Sequence, residues 1–107
     1  MVFANSSVGQ PAQFTRFLPR TYSVNVGTLS AVGAATVAEQ NVTIAGLTTK
    51  DVVLRVEKPT HQAGLSCSGG RVASADTLAI QFSNPTASGI TPTASEVYRV
   101  VVVQVVE

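Results

Sequence analysis

His61 is the one histidine of the chain, and an imidazole is the side chain best suited by type to general acid–base work. Ser66 and Cys67 follow a few residues on and offer a hydroxyl and a thiol. Asp51 or Asp76 could orient the imidazole, which would complete a Ser-His or Cys-His hydrolase. The local pattern argues against it, because neither nucleophile stands in a strand-to-helix elbow or in a cysteine-enzyme signature. His61 is expected instead to hydrogen-bond backbone or line a contact. The acidic residues Glu39, Asp51, Glu57, Asp76, Glu96 and Glu107 are scattered, and no spacing obliges two of them to share a site as a glycosidase pair must. Ser68-Gly69-Gly70-Arg71 has the glycines of an anion loop, but it leads into a strand where a phosphate loop opens a helix. One Cys and one His cannot assemble a metal cluster, and a lone Cys forms no intramolecular disulfide. The chain is read as carrying no catalytic residue, cofactor or metal.

The elements around these residues are strands. Residues 97–106 hold four consecutive valines, Val100 to Val103, within Val-Tyr-Arg-Val-Val-Val-Val-Gln-Val-Val, a strand of about 33 Å at about 3.3 Å per residue. Apolar on both faces, it needs a cover on both. Thr21 to Val32 alternates Tyr22, Val24 and Val26 with polar residues, and Leu78, Ile80 and Phe82 alternate with Thr77, Ala79 and Gln81. Thr36 to Ala45 reads as two short pieces around a bulge or wide turn at Glu39-Gln40-Asn41, Val52 to Val56 as an apolar strand, and Arg71 to Ala75 as a short one. Long connections at 59–70 and 83–96 hold Gly and Pro, and no helical stripe is present. Short strands at such intervals predict an all-β fold, an antiparallel β-sandwich or a small jelly-roll-like barrel, over residues 21–107.

Residues 1–20 differ in kind. Gly9, Pro11 and Pro19 interrupt them, no period is sustained, and yet they hold three of the four Phe. They are read as an irregular N-terminal arm, with Phe3, Phe14, Arg16, Phe17, Leu18 and Arg20 as the partner-binding residues, because aromatic rings beside Arg are enriched among interface anchors. At +1 net charge with 12% charged residues, nucleic acid is not an expected partner. Neither a basic, apolar leader nor a membrane-length apolar run is evident, so synthesis in a cytoplasm is expected, without a membrane partner.

Gly46-Leu47-Thr48-Thr49-Lys50-Asp51-Val52-Val53, continuing through Lys58-Pro59-Thr60-His61-Gln62-Ala63-Gly64-Leu65, resembles small virion proteins of tailed bacteriophages. Arg71-Val72, Thr77-Leu78-Ala79-Ile80-Gln81-Phe82, Asn84-Pro85-Thr86-Ala87 and Ile90-Thr91-Pro92-Thr93-Ala94-Ser95-Glu96-Val97-Tyr98 fit the same pattern, which covers about half the chain. Among such proteins the chain is similar to capsid decoration, or cement, proteins. The resemblance implies a structural subunit on the outer capsid surface of the virion, a homo-oligomer and often a trimer, that bridges major capsid protein subunits. Similar β-modules also occur in head fibres and tail appendages that bind a host surface receptor.

Overall fold

The computed structural model describes residues 16–106, and the side chains of residues 19–104. It contains strands β1 (Arg16–Asn25), β2 (Thr36–Thr43), β3 (Val52–Glu57), β4 (Ser66–Ser74), β5 (Thr77–Asn84) and β6 (Val97–Val106). In β5 the side chains of Leu78, Ile80 and Phe82 are fully buried while Thr77, Gln81 and Ser83 are half-exposed, so the period of two puts one face into a core. Ala79 on the other face is buried as well, a small residue in register between Asn41 and Arg71. β6 sets the matching row of Tyr98, Val100 and Val102, all buried, from the opposite sheet. Phe82 and Tyr98 meet edge to face across the interior, with ring centroids 6.4 Å apart at 69°.

Two three-stranded antiparallel sheets result, ordered β1-β6-β3 and β2-β5-β4, and the expected antiparallel sandwich is what forms. Val42 from β2, Val72 from β4 and Val56 from β3 complete the core, with Val26, Leu29, Val32, Ile44, Leu47 and Leu65 folded in from the connections. One side of the sandwich closes where β4 leans on β3. Gly70 makes this possible: a Cβ there would stand 2.9 Å from the carbonyl oxygen of Ala79 and 3.1 Å from Cγ2 of Val56.

Several boundaries differ from the sequence expectation. The first strand begins at Arg16, not Thr21, so residues 16–20 are strand and not arm; Pro19 is accommodated because β1 is an edge strand, where a missing N–H need not break a ladder. β1 also ends at Asn25, whose Oδ1 accepts from the Gly27 amide at 2.9 Å and turns the chain. β2 is continuous, without the expected break, and pairs with β5 in uninterrupted register. Its Gln40 side chain exchanges two hydrogen bonds of 2.6 Å with the backbone of Ser30, standing in for a neighbouring strand. β4 starts at Ser66, so the glycines assigned to a loop are strand residues around bulges between Cys67 and Gly69 and between Val72 and Ser74.

The valine strand has the bounds expected of it, but its covers are arranged differently. β1 and β3 lie beside β6 as ladder partners, leaving the β2-β5-β4 sheet as the layer across from it. Tyr98, Val100 and Val102 face that layer. On the reverse face Val101 and Val103 are half-buried and Val97 is 52% exposed.

Candidate partner-binding surface

The reverse face of the β1-β6-β3 sheet is built from rows of residues in register. Pro19, Val103 and Val52 form one row, Thr21, Val101 and Arg55 the next, and Ser23, Arg99 and Glu57 the third, with Asn25 beside Val97 at the far end. Between Val53 and Arg55 the ladder slips, and the extra residue Leu54 is 61% exposed; Val52 is 47% exposed. The bulge lets Val53 and Val56 both pack on the core while an apolar side chain goes to water. The surface is therefore apolar at the Pro19–Val103–Val52 end and charged in the rows of Arg55 and of Arg99 with Glu57, before Val97 closes it. There Arg55 donates to Glu57 at 3.1 Å, an exposed pair that water and salt screen.

Of the residues expected to bind a partner, Phe3 and Phe14 lie outside the described residues. Arg16, Phe17 and Leu18 stand in β1 opposite Val106, Val105 and Gln104, and Arg20 is exposed opposite Val102. The strand thus carries four of the six. Sequence reasoning did not single out Val52, Leu54 and Val97. The signal was present in the two-sided apolar character of β6, but which neighbours would flank it could not be read from the chain.

The residues considered for chemistry are occupied separately. Both Asp51 oxygens accept from Thr48, at 3.0 Å from its amide and 3.3 Å from its hydroxyl, and Asp76 accepts from the Gly46 amide at 2.8 Å. Neither is hydrogen-bonded to His61, which is exposed. Cys67 is half-buried with Sγ 4.0 Å from the Val56 carbonyl; burial pushes its thiol up, against a smaller opposing effect of the Gly69 backbone hydrogen bond, so the reactive thiolate is disfavoured. Among the described residues no three His, Cys, Asp or Glu side chains group to hold a metal.

At one end of the sandwich the loops 58–65 and 85–96 are fastened together. Lys58 Nζ, on a side chain only 6% exposed, donates to Glu96 Oε1 at 2.9 Å and to the carbonyl and hydroxyl oxygens of Thr60, each at 3.0 Å. The Thr60 hydroxyl donates in turn to Glu96 Oε2. Thr60 first, and Lys58 after it, hold the Glu96 carboxyl below its usual value, against partial opposition from burial. Gln62 spans the same gap, donating to the Thr91 carbonyl at 3.1 Å and accepting from the Thr93 amide at 2.8 Å. Gly64 has φ +80° and lies so near the second loop that a Cβ would come within 2.7 Å of Thr86 Cγ2. On the outer face of the other sheet, Arg71 grips Glu39 bidentately at 2.7 and 2.9 Å, which lowers the Glu39 pKa and raises that of Arg71.

No known protein family, curated protein or solved structure matches the chain. The open sheet face and the fastened loops are accordingly read on their own geometry.

Proposed function

We propose that the chain is a structural virion protein that decorates a phage capsid from the outside and stabilises it by bridging major capsid protein subunits. One observation carries most of this reading: an apolar sheet face lies uncovered among the described residues, at the end of the sheet where residues 1–15 join it. Covering such a surface is favourable by about 25 cal/mol per Å² of apolar area, and exposed patches of this kind mark protein contacts. The resemblance to phage virion proteins supplies the nature of the partner. A shell strained by packed DNA is held by area buried repeatedly over many copies, which requires no reaction, cofactor, nucleic acid or membrane. The segment with Phe3, Phe14, Arg16, Phe17, Leu18 and Arg20 is the attachment region. The chain acts as a homo-oligomer, a trimer by the resemblance, in which weak contacts add because the second and third become intramolecular.

The test is cosedimentation of the purified protein with capsids that lack it. Saturable binding at a fixed ratio to major capsid protein is expected, with shells that rupture at higher temperature. Deletion of residues 2–15, which stops short of β1, is expected to abolish that binding while circular dichroism keeps the β signal. Full-length protein that stays in the supernatant at every concentration overturns the reading, as does imaging that places it only on the tail.

A host-surface module of a head fibre or tail appendage is the second reading. It is favoured by the fastened loops 58–65 and 85–96, which offer a preorganised surface around the exposed His61. Glycan or cell-surface binding without shell affinity would decide for it.

A further inference from the structure

We infer that the outer face of the β2-β5-β4 sheet carries a binding site for a neutral sugar ring, in the recess of about 210 Å³ lined by Glu39, Ser68, Gly69, Gly70, Arg71 and Gln81. Register makes the recess. Glu39, Gln81 and Gly69 form one row across the sheet and Asn41, Ala79 and Arg71 the next, so each row has a Gly or an Ala that leaves backbone uncovered. Arg71 crosses the central strand at the buried Ala79 to reach Glu39 on β2, and this bridge is one polar wall. A second is made by Ser68, whose hydroxyl donates to the Gln81 carbonyl at 3.2 Å and accepts from Gln81 Nε2 at 3.1 Å. Gly69 keeps the space between them open: a Cβ there would meet no atom within 4 Å, and its φ of +128° is one that L side chains rarely adopt.

The bonding capacity left over selects the ligand. Arg71 spends Nε and Nη2 on the two Glu39 oxygens, which leaves the Nη1 hydrogens and further carboxylate lone pairs unspent. Gln81 Oε1 accepts from none of the described residues, and the ladder slip between Cys67 and Gly69 leaves Ser68 opposite no residue of β5. Donors and acceptors thus stand together in one recess. A sugar presents neighbouring hydroxyls, each able to donate and to accept, and so satisfies both kinds at once. An anion would find Arg71 already neutralised by Glu39 at 2.7 Å. The flanking rows, Val37-Ser83-Ser66 and Thr43-Thr77-Ser74, bring one large apolar side chain and no charge, too little to anchor a protein. Size agrees as well: pockets for drug-sized ligands run to about 300–1,000 Å³, whereas this recess admits a single ring. Glu39 also lines a second groove, of about 450 Å³, with Ser30, Gln40 and Asn41, so a ring linked to the first has a polar place to lie.

The site lies on the sheet opposite the open apolar face, so the inference goes beyond the decoration reading and does not rest on it. The test is nuclear magnetic resonance titration of the full-length, isotope-labelled protein with the methyl glycosides of glucose, galactose, mannose and N-acetylglucosamine, and with N-acetylneuraminic acid as the anionic probe. Saturable movement of the Gly69, Gly70 and Arg71 amide signals and of the Gln81 side-chain amide is expected with at least one neutral glycoside. The Kd should be about 1–10 mM, because a few hydrogen bonds and no aromatic face hold the ring. Gln81→Ala and Ser68→Ala should each weaken binding at least about fivefold with the circular dichroism unchanged, and Thr43→Ala, exposed on the same face outside the recess, should leave it intact. Signals that stay still with every neutral probe overturn the inference, and so does binding indifferent to both Gln81→Ala and Ser68→Ala. Tighter binding of N-acetylneuraminic acid than of any neutral glycoside overturns the neutral class. Movement confined to residues 58–65 and 85–96 overturns the site and favours the host-surface reading. The titration uses no shells: sugar binding without cosedimentation defeats only the decoration reading, and cosedimentation without sugar binding defeats only this one.

Discussion

Asn84 Nδ2 donates to the carbonyl of Val32 at 2.9 Å, joining residues 52 positions apart. The same amide donates to the Ser88 carbonyl at 2.8 Å, and Oδ1 accepts from the amide and hydroxyl of Thr86 at 2.9 and 2.7 Å. Asn84 is fully buried at the end of β5, so one side chain ties the β1–β2 connection to the loop that leads into β6. Val32 and Ile90 exchange backbone bonds of 2.8 and 3.0 Å beside it. Asn84→Leu keeps the number of side-chain heavy atoms, adds bulk in the form of two methyl groups, and loses every one of the side-chain bonds. It should cost more than about 2 kcal/mol in urea unfolding. Asn84→Asp, which cannot donate to the two carbonyls, should rescue little of this at neutral pH.

Tyr98 is buried in the same core, and its hydroxyl has no hydrogen-bond partner among the described residues. Burial first, then the nearby Cys67 and Glu96, hold the phenol above its ordinary value of 10.0. The folded state favours the neutral form, so this contribution is complete below pH 10 and is lost as pH rises above it. Tyr98→Phe keeps the edge contact with Phe82 and removes the unpaired group. An increase in stability of about 1 kcal/mol at neutral pH is expected, with a weaker alkaline decline, both measured by chemical denaturation across pH.

The Glu96 carboxyl titrates in the opposite sense. Its folded value lies below the ordinary 4.5, so the stability it contributes is full above that pH and falls away as acid protonates the folded state. Melting temperatures recorded from pH 7 to pH 3 should drop in this range, and Glu96→Gln should flatten the drop. Removing the cation instead, as Lys58→Met, leaves the Glu96 carboxylate with the Thr60 hydroxyl as its remaining partner and should cost about 1–3 kcal/mol at pH 7.

Gly70→Ala tests the contact between β4 and β3. The added methyl meets a backbone carbonyl and a valine already in place, so β4 must shift outward, at a cost of about 1–3 kcal/mol. The same substitution at Gly46, where a Cβ would meet no atom within 4 Å, strains only the backbone through its φ of +95°. Comparing the two by thermal melts separates crowding from conformation.

Period and propensity made part of this fold legible. Val97–Val106 and the alternation of Leu78, Ile80 and Phe82 follow from local residue type, and both strands form where the residues place them. Pro19 and the pair Gly69-Gly70 misled, because each reads locally as an interruption while its role depends on a distant strand: β6 beside β1, and β3 against β4. Pairing partners set those boundaries, and a linear chain does not display them. The open face was hidden for the same reason. Four valines in a row announce a strand without a wet side, yet only the order β1-β6-β3 shows which of them face the second sheet and which do not.

The pairing of β1 with β6 also has a mechanical meaning. Arg16 and Val106 are the first of ten pairs that run in antiparallel register to Asn25 and Val97. Tension applied between residues 16 and 106 acts across the strands and opens the pair one rung at a time, as a zipper opens. Tension entering at the Asn25 end of β1 and leaving through Val106 runs along the strands instead and must shear all ten rungs together. The molecule is therefore a stiff tie in one direction of pull and a weak one in the other.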